Sequence, residues 1–342
     1  MKFDVTIFPT DLNSAADIAR QVESFGFDGL WTSETAHNPF LPLTHAAAVT
    51  KRIKLGTAVA IAFPRSPMVT AQIAWDLAAQ SEGRFILGLG TQIKTHITRR
   101  FSTDWAAPVP RLREYIESLR SIWASFQSSV PLKYSGEHYK FSLLTPFFSP
   151  GAIKNPDIPI YIAGVNEGLC RLAGELCQGF HAHSFHTVRY LNELVIPNIE
   201  RGAARAGRNR ADCSVSCAVF VVTGRNNEEM INNSVFVRSQ IAFYASTPSY
   251  SPVMEMHGWL DLHTRLNAMS REGRWFEMGE LISDEMLREF AVIAPVDELA
   301  HAVKERYNSL LDRVGYYFPY LPGEADKEIV WSSAAEVFAS AG

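Results

Sequence analysis

The regular alternation of short β-rich runs with segments of helical period restricts the fold of this sequence more than any other feature. Most of the apolar runs are followed by a predicted helix, and several are almost continuously apolar, which is typical of parallel strands covered on both faces. Eight βα repeats favour a closed (β/α)8 TIM barrel; a doubly wound sheet with a small helical domain is the alternative. The eight predicted strands are residues 5–9, 28–34, 53–63, 84–90, 158–164, 179–184, 213–224 and 314–321.

Two stretches interrupt this alternation. Residues 129–157 have no clear period and are rich in aromatic residues and prolines, which predicts an inserted excursion with a hairpin around Gly136. Residues 226–290 are predicted to be mostly helical. No internal repeat or low-complexity linker divides the chain, so we predict a single domain over residues 1–342 with these two insertions.

Composition and charge exclude several classes of partner. A net charge of −4 and a pI near 6.2 argue against nucleic acid or an anionic membrane as the main partner. The first twenty residues contain three aspartates and no long apolar run, so no secretory signal is predicted. No segment approaches the roughly 20 apolar residues that a membrane-spanning helix needs.

The four cysteines form two sequence pairs, Cys170 with Cys177 and Cys213 with Cys217. Neither spacing matches a zinc or redox motif, so we expect buried, reduced thiols in a cytoplasmic protein.

Polar and ionisable residues are concentrated where the predicted strands end. In a (β/α)8 barrel these ends form the active-site face, whereas the opposite ends serve stability. The candidates for function are therefore Ser33, Glu34, Thr35, His37, Asn38, Arg65, Thr91, Gln92, Lys94, His96, Arg99, Arg100, His183, Ser184 and His186. Lys94, Arg99 and Arg100 could meet an acidic ligand or only face water.

Common site motifs are incomplete in this sequence. The GLG of residues 88–90 lacks the third glycine of the dinucleotide fingerprint, because Ile93 stands there, and it lies on the fourth strand instead of the first. The sequence GVNEG at 164–168 precedes a helix and is a better phosphate cradle, although acidic Glu167 competes with an anion there. The histidines of 181–186 have no carboxylate nearby, so no metal site is predicted. Hydrolase motifs are absent from the sequence.

Several segments in a specific order identify a family. These are AARQVESFGFDGLWTSE, IKLGTAVAIAFPRSPMVTAQ, SEGRFILGLGTQ, IPIYIAGVNEG and FAVIAPVDELAHAVKERY, which together extend over nearly the whole chain. With them the sequence resembles the luciferase-like monooxygenase superfamily, specifically its branch of coenzyme F420-dependent oxidoreductases from actinobacteria.

The resemblance implies a bacterial-luciferase-like TIM barrel with insertions and a flavin or deazaflavin at the C-terminal mouth. It places a non-prolyl cis peptide at Ala58-Val59, supporting the middle ring of the cofactor. Glu34 falls where relatives have an acidic residue near that ring, and Thr35 stands where some relatives have a catalytic histidine, which puts their acid/base mechanism in doubt here. The residues expected to bind the cofactor are Thr35, Ala58, Val59, Gly90, Thr91, Gln92, Gly164, Val165, Asn166, His183 and Ser184.

Members of the family use either FMN or F420. The segment RSQIAFYASTPSYSPVMEMHGW at 238–259 is similar to one typical of an F420-using subgroup, so we expect F420, with FMN as the alternative. The expected activity is hydride transfer between the deazaflavin C5 and a moderately hydrophobic organic substrate. Glu34 is expected to act as acid/base or to orient the ring, and His37 is expected near the substrate.

Two other functions fit the same resemblance: a two-component FMN-dependent monooxygenase and a flavin-binding protein without catalysis. We expect aromatic residues of the insertions to roof the substrate pocket, namely Phe147, Phe148, Tyr244 and Trp259. A homodimer is expected because dimers are common in the family.

Overall fold

A computed structural model describes residues 1–8 and 11–338 of the chain. The strands are β1 (Lys2–Ile7), β2 (Gly29–Thr32), β3 (Lys54–Thr57), β4 (Ala60–Ile61), β5 (Phe85–Gly90), β6 (Tyr134–Ser135), β7 (Lys140–Phe141), β8 (Ile160–Gly164), β9 (Gly179–Ala182), β10 (Ser214–Val222), β11 (Ala291–Ile293) and β12 (Arg313–Tyr317). The helices are α1 (Leu12–Ser24), α2 (Leu41–Val49), α3 (Pro67–Gln80), α4 (Pro108–Ser128), α5 (Glu167–Leu176), α6 (Val188–Tyr190), α7 (Ile196–Arg205), α8 (Asn227–Ala245), α9 (Ser251–Met256), α10 (Leu260–Arg271), α11 (Trp275–Met278), α12 (Asp284–Phe290), α13 (Leu299–Tyr307) and α14 (Glu324–Phe338).

Parallel strands close into a ring in the order β1-β2-β3-β5-β8-β9-β10-β12. The ring closes where β1 pairs with β12, with Lys2 opposite Arg313 and Phe3 opposite Val314. Strand β4 continues the stave of β3 and pairs with β5. The predicted (β/α)8 barrel is therefore confirmed, and the doubly wound alternative is wrong.

Strand lengths differ from the predictions in three places. The predicted strand 53–63 is divided into β3 and β4, because the chain bulges between them. Strand β1 begins at Lys2, before the apolar run, and residue 9 of the predicted run lies outside the described residues. Strand β11 was missed: its three residues, paired with the end of β10, are too few to show a period.

The two interrupting stretches have the predicted local structure. Strands β6 and β7 form an antiparallel hairpin around Gly136, with Tyr134 opposite Phe141. The Glu114 carboxylate on α4 accepts hydrogen bonds from three backbone N–H groups of the hairpin, at residues 137–139. Helices α8 to α12 occupy residues 227–290, as the helical period predicted.

Local signals fix the helix ends on the barrel surface. Ser66 caps α3 by accepting a hydrogen bond from the Met68 N–H, and Pro67 occupies the first turn. Gly26 and Gly83 follow α1 and α3 with φ values of 80° and 82°, a left-handed conformation that favours glycine. All four cysteines are buried free thiols, as predicted. Within the described ranges, no helix combines the length and apolar character that a bilayer crossing demands.

The centre of the barrel is built around a buried ion pair. Arg313 on β12 donates to both carboxylate oxygens of Asp4 on β1, at 2.7 and 2.6 Å, and the Trp31 indole donates to Asp4 at 2.8 Å. Burial alone would lower the pKa of Arg313, but the charge and hydrogen bonds of Asp4 raise it above its ordinary value. The pair therefore stays charged and joins the first and last staves.

Glycines make room for large rings around this pair. A Cβ at Gly56 would overlap the Trp31 ring, and one at Gly179 would overlap the Tyr161 ring. His181 packs edge-on against Trp31 with ring centroids 4.9 Å apart. These aromatic rings fill the interior below the strand ends, so the barrel is a packed core and not a pore.

Removing one partner of the buried pair should be far more damaging than removing one partner of an exposed pair. Asp4→Asn should lower the free energy of unfolding by about 3–5 kcal/mol, because it leaves the Arg313 charge buried without compensation. Urea unfolding gives the comparison. The matched control is Asp17→Asn, which breaks an exposed pair with Arg20 and should cost less than about 1 kcal/mol. Equal losses in the two variants would contradict a structural role for the buried pair.

Candidate active site

A cavity of about 880 Å³ opens at the C-terminal ends of the barrel strands. Most of the residues expected to form the site line it, although they come from separate strand ends. These lining residues are Glu34, Thr35, Ala58, Val59, Gly90, Thr91, Gln92, Gly164, Val165, Asn166, His183 and Ser184. His37 is exposed and does not line the cavity, because the loop after β2 directs it to the surface.

The peptide between Ala58 and Val59 is cis, as the resemblance implied, and it forms the bulge between β3 and β4. The end of β2 holds this bulge: the Ser33 hydroxyl donates to the Ala58 carbonyl at 2.7 Å, and the Glu34 N–H donates to the Val59 carbonyl at 3.2 Å. A Cβ at Gly90 would lie 2.5 Å from Val59 Cγ2. Glycine at this position therefore allows the bulge to lean against β5.

Both carboxylate oxygens of Glu34 are engaged by other protein groups. Arg65 donates to them at 2.7 and 2.8 Å, and the Ile61 N–H donates to Oε2 at 2.7 Å. The Glu34 side chain is only 7% exposed, and that of Arg65 is 16% exposed. This arrangement fits a carboxylate that fixes the bulge more than one that exchanges protons with a ligand, because no oxygen is left without a donor.

A double-mutant cycle on Glu34 and Arg65 should reveal this coupling. Glu34→Gln and Arg65→Met should each lower the free energy of unfolding by about 1.5–3 kcal/mol, since hydrogen bonds to charged groups are lost. The double variant should cost clearly less than the sum, as measured by urea unfolding. The control is Glu193→Gln, which breaks an exposed pair with Arg189 and should change little. Additive losses at Glu34 and Arg65 would show that the two side chains do not act together.

Three histidines at the cavity and next to it have lowered pKa values, because burial disfavours the charged imidazolium form. Burial, followed by the charge of Arg313, lowers the pKa of His181 to about 3. Burial, followed by the charge of His186, lowers the pKa of His183 to about 3, and burial lowers that of His186 to about 4. Unfolding exposes the rings to water, where their pKa returns towards 6.5.

These shifts make folding depend on pH. Below about pH 6.5 the unfolded chain takes up protons that the folded chain refuses, so the free energy of unfolding should fall as the pH decreases towards 4. His181→Gln removes one such group and should make this slope shallower by up to roughly 1.4 kcal/mol per pH unit. Urea unfolding at several pH values measures the slope in each protein. Identical slopes would mean that His181 takes up its proton equally in the folded and unfolded chains.

The cationic segment after β5 divides into two parts. Lys94 is exposed at the rim and lines the cavity. Arg100 instead donates to the carbonyl of Thr35 and lies 4.9 Å from the centroid of the Phe101 ring, so it joins two loops. Gln92 has a φ of 57°, a conformation rare for residues other than glycine, at the point where the loop leaves the strand.

The N-terminus of α5 forms another part of the lining. Asn166 is its N-cap residue but makes no side-chain capping bond. Glu167, which was expected to compete with an anion, accepts a hydrogen bond from Arg171 at 2.8 Å. Its charge is thereby partly compensated, which lessens its competition with an anion at the N-terminus of α5.

The insertions contribute fewer aromatic residues to the cavity than expected. Tyr244 lines it, but Phe147 and Phe148 are exposed on the other insertion, and Trp259 stacks on His257 away from it. Residues that the sequence analysis did not select also line the cavity: Ser249, Tyr250, Tyr317 and Phe318. The first two lie within the segment 238–259 that carried the subgroup resemblance, which was the available signal.

The sequence profile described as luciferase-like monooxygenase matches residues 4–313. The chain belongs to this family. It is 46% identical over 314 residues to an uncharacterized protein of Mycobacterium tuberculosis, covering 92% of each chain. It is 28% identical over 290 residues to a 5,10-methylenetetrahydromethanopterin reductase of Archaeoglobus fulgidus, covering 83% of this chain and 82% of that protein.

The fold is shared with a solved structure of low sequence identity. The structure of coenzyme F420-dependent tetrahydromethanopterin reductase from Methanopyrus kandleri is similar with a TM-score of 0.79 and 20% identity, covering 98% of both chains. This similarity concerns the barrel and its connections.

Proposed function

We propose that the protein is an F420-dependent oxidoreductase that transfers a hydride between the deazaflavin C5 and a moderately hydrophobic organic substrate. One observation carries the proposal: the bulge at Ala58-Val59, held by β2, forms a wall of a cavity of about 880 Å³ at the barrel mouth. The proposal gains support from the names of similar proteins: a 5,10-methylenetetrahydromethanopterin reductase, a putative coenzyme F420-dependent oxidoreductase and the solved F420-dependent tetrahydromethanopterin reductase.

The residues present fit a deazaflavin with an acidic tail. The bulge offers backbone and the Val59 side chain to a planar ring, and Gly90, Thr91 and Gln92 border it. The phosphate and carboxylates of the tail suit the N-terminus of α5 and the rim cation Lys94. When bound, the deazaflavin supplies the hydride chemistry at C5, and the protein supplies binding and orientation.

The chain's own residues have separate tasks in this proposal. Glu34 fixes the bulge through Arg65 and the Ile61 N–H, which makes it a positioning residue for the ring. Thr35 cannot serve as the acid/base that a histidine would be, because an alcohol hydroxyl does not titrate near neutral pH. Trp31, Tyr161 and His181 pack the barrel interior and exclude water from below the cavity.

Titration of the purified protein with F420 and, separately, with FMN tests the cofactor. We expect F420 to bind with a micromolar or lower dissociation constant and FMN to bind more weakly. The change in F420 fluorescence measures its binding. Micromolar binding of FMN without binding of F420 would overturn the proposal and favour an FMN-dependent monooxygenase. Binding of F420 without reduction of any organic substrate in a screen would favour the non-catalytic alternative.

Replacing the rim cation Lys94 tests whether this side chain contributes to F420 affinity. Lys94→Gln should weaken F420 binding several-fold at low salt and less at high salt, because an exposed charge is screened by ions. Lys51→Gln is the matched control, since Lys51 is exposed after α2 at the other end of the barrel. Equal weakening by both substitutions would point to net charge and not to a contact at the rim.

A further inference from the structure

The insertion after β10 places two hydroxyl groups on one wall of the cavity. Ser249 and Tyr250 lie in the 3-10 turn Pro248–Tyr250, between α8 and α9, and both line the cavity. The Ser249 Oγ is buried and has no hydrogen-bond partner among the described residues. A buried hydroxyl without a partner is costly, so a ligand group that satisfies it would be favoured there.

His183 determines how the Tyr250 hydroxyl is used. The Nδ1 atom of His183 accepts the Phe185 N–H at 3.0 Å, so in the neutral ring the proton is on Nε2. Nε2 lies 3.2 Å from the Tyr250 hydroxyl and therefore donates to its oxygen. The phenolic proton must point elsewhere, and Tyr250 can donate it to a ligand in the cavity.

Packing holds this pair in place. The His183 ring lies 4.6 Å from the rings of both Tyr244 and Tyr250, measured between centroids. The Tyr244 hydroxyl, on α8, lies 3.4 Å from the Tyr317 hydroxyl, and Ser249 and Tyr250 are the hydroxyl groups that the turn 248–250 itself contributes. The Tyr250 ring also contacts Tyr244, so it loses little conformational freedom when its hydroxyl binds a ligand.

Both acidic side chains that line the cavity in the described part of the chain are paired with an arginine, and the lining cations Lys94 and Lys327 lie outside the turn 248–250. The carboxylate of Glu34 is neutralised by Arg65, and that of Asp4 by Arg313. The wall itself presents hydroxyl groups and aromatic rings, without a charged side chain in the turn 248–250. Such a wall suits a carbonyl oxygen on a moderately apolar molecule.

We propose that Ser249 and Tyr250 donate hydrogen bonds to the carbonyl oxygen of the substrate, which is a ketone or an aldehyde. This inference rests on the proposed hydride transfer. In the reducing direction, the hydride pair forms the new C–H bond of the carbonyl carbon, and the C=O π pair moves to oxygen. A proton from water completes the hydroxyl group, and the reduced deazaflavin is oxidised. The two hydroxyls stabilise the charge that develops on the oxygen.

Binding of acetophenone labelled with ¹³C at the carbonyl tests the inference directly. Infrared difference spectra of the bound ketone should show a C=O stretch at lower frequency than in an apolar solvent. Tyr250→Phe and Ser249→Ala should each reverse part of this shift and weaken ketone binding by roughly 3- to 10-fold, since one hydrogen bond is lost. An unshifted stretch in the parent protein, or an unchanged stretch in both variants, would overturn the inference.

Two controls separate hydrogen bonding from shape. Ethylbenzene has the same ring and no carbonyl, so Tyr250→Phe should leave its affinity unchanged. Tyr134→Phe removes a hydroxyl that is bonded to Glu117 on the hairpin, outside the cavity, and should leave ketone binding unchanged. Equal loss of acetophenone and ethylbenzene in Tyr250→Phe would show that only the cavity shape had changed, which also overturns the inference.

Each ketone titration is made with and without F420, so that the test of the cofactor and the test of the carbonyl contacts give separate results. Failure of F420 to bind overturns the proposed cofactor, whereas the stretch of the bound ketone still decides whether the two hydroxyls hold its oxygen. Binding of F420 together with an unshifted ketone leaves the oxidoreductase proposal standing and removes this substrate class.

Discussion

The ion pair of Asp4 and Arg313 connects the first and last strands of the barrel, and the geometry of the site depends on that closure. The residues lie 309 positions apart in sequence, yet they form two hydrogen bonds inside the ring of strands. Trp31 joins them from the next stave, so three strands are fixed at one level. Because the two charges compensate each other, the interior can hold them without water. The pair also fixes the position of β1 relative to β12, and with it the position of their C-terminal ends.

Closer to the C-terminal ends of the strands, a second ion pair holds the backbone bulge between β3 and β4 in place. Glu34 and Arg65 join the end of β2 to the loop after β4, and the Ile61 N–H completes the arrangement. The carboxylate that was expected to act as acid/base or to orient the ring is thus engaged in holding the bulge. With Thr35 in place of a histidine, we propose that the bulge side of the cavity positions the cofactor and that the hydrogen-bond donors towards a substrate come from the inserted turn.

Periodicity was sufficient to predict the barrel, because eight buried parallel strands leave eight apolar runs in the sequence. The strand-end rule then selected some of the polar lining residues, among them Glu34, Thr91 and His183, and the family resemblance located the cis peptide. Pairing between Glu34 and Arg65 could not be read in this way, since the partners are 31 residues apart on different loops. The turn at Ser249 and Tyr250 was not selected either: it lies between two helices of the insertion, where no period indicates which side chains point inward. His37 shows the opposite error, because a loop residue near a strand end can still face the surface.

The glycines inside the barrel have a consequence for how such a chain can change over time. Gly56 and Gly179 each lie against a large ring, so almost any replacement there would displace Trp31 or Tyr161 and disturb several staves together. The turn 248–250 has no comparable constraint from the ring of strands. Under the function proposed above, variation in the insertion can therefore change the substrate preference while the glycines and rings of the barrel stay the same. Directed evolution of this scaffold has its natural target in that turn.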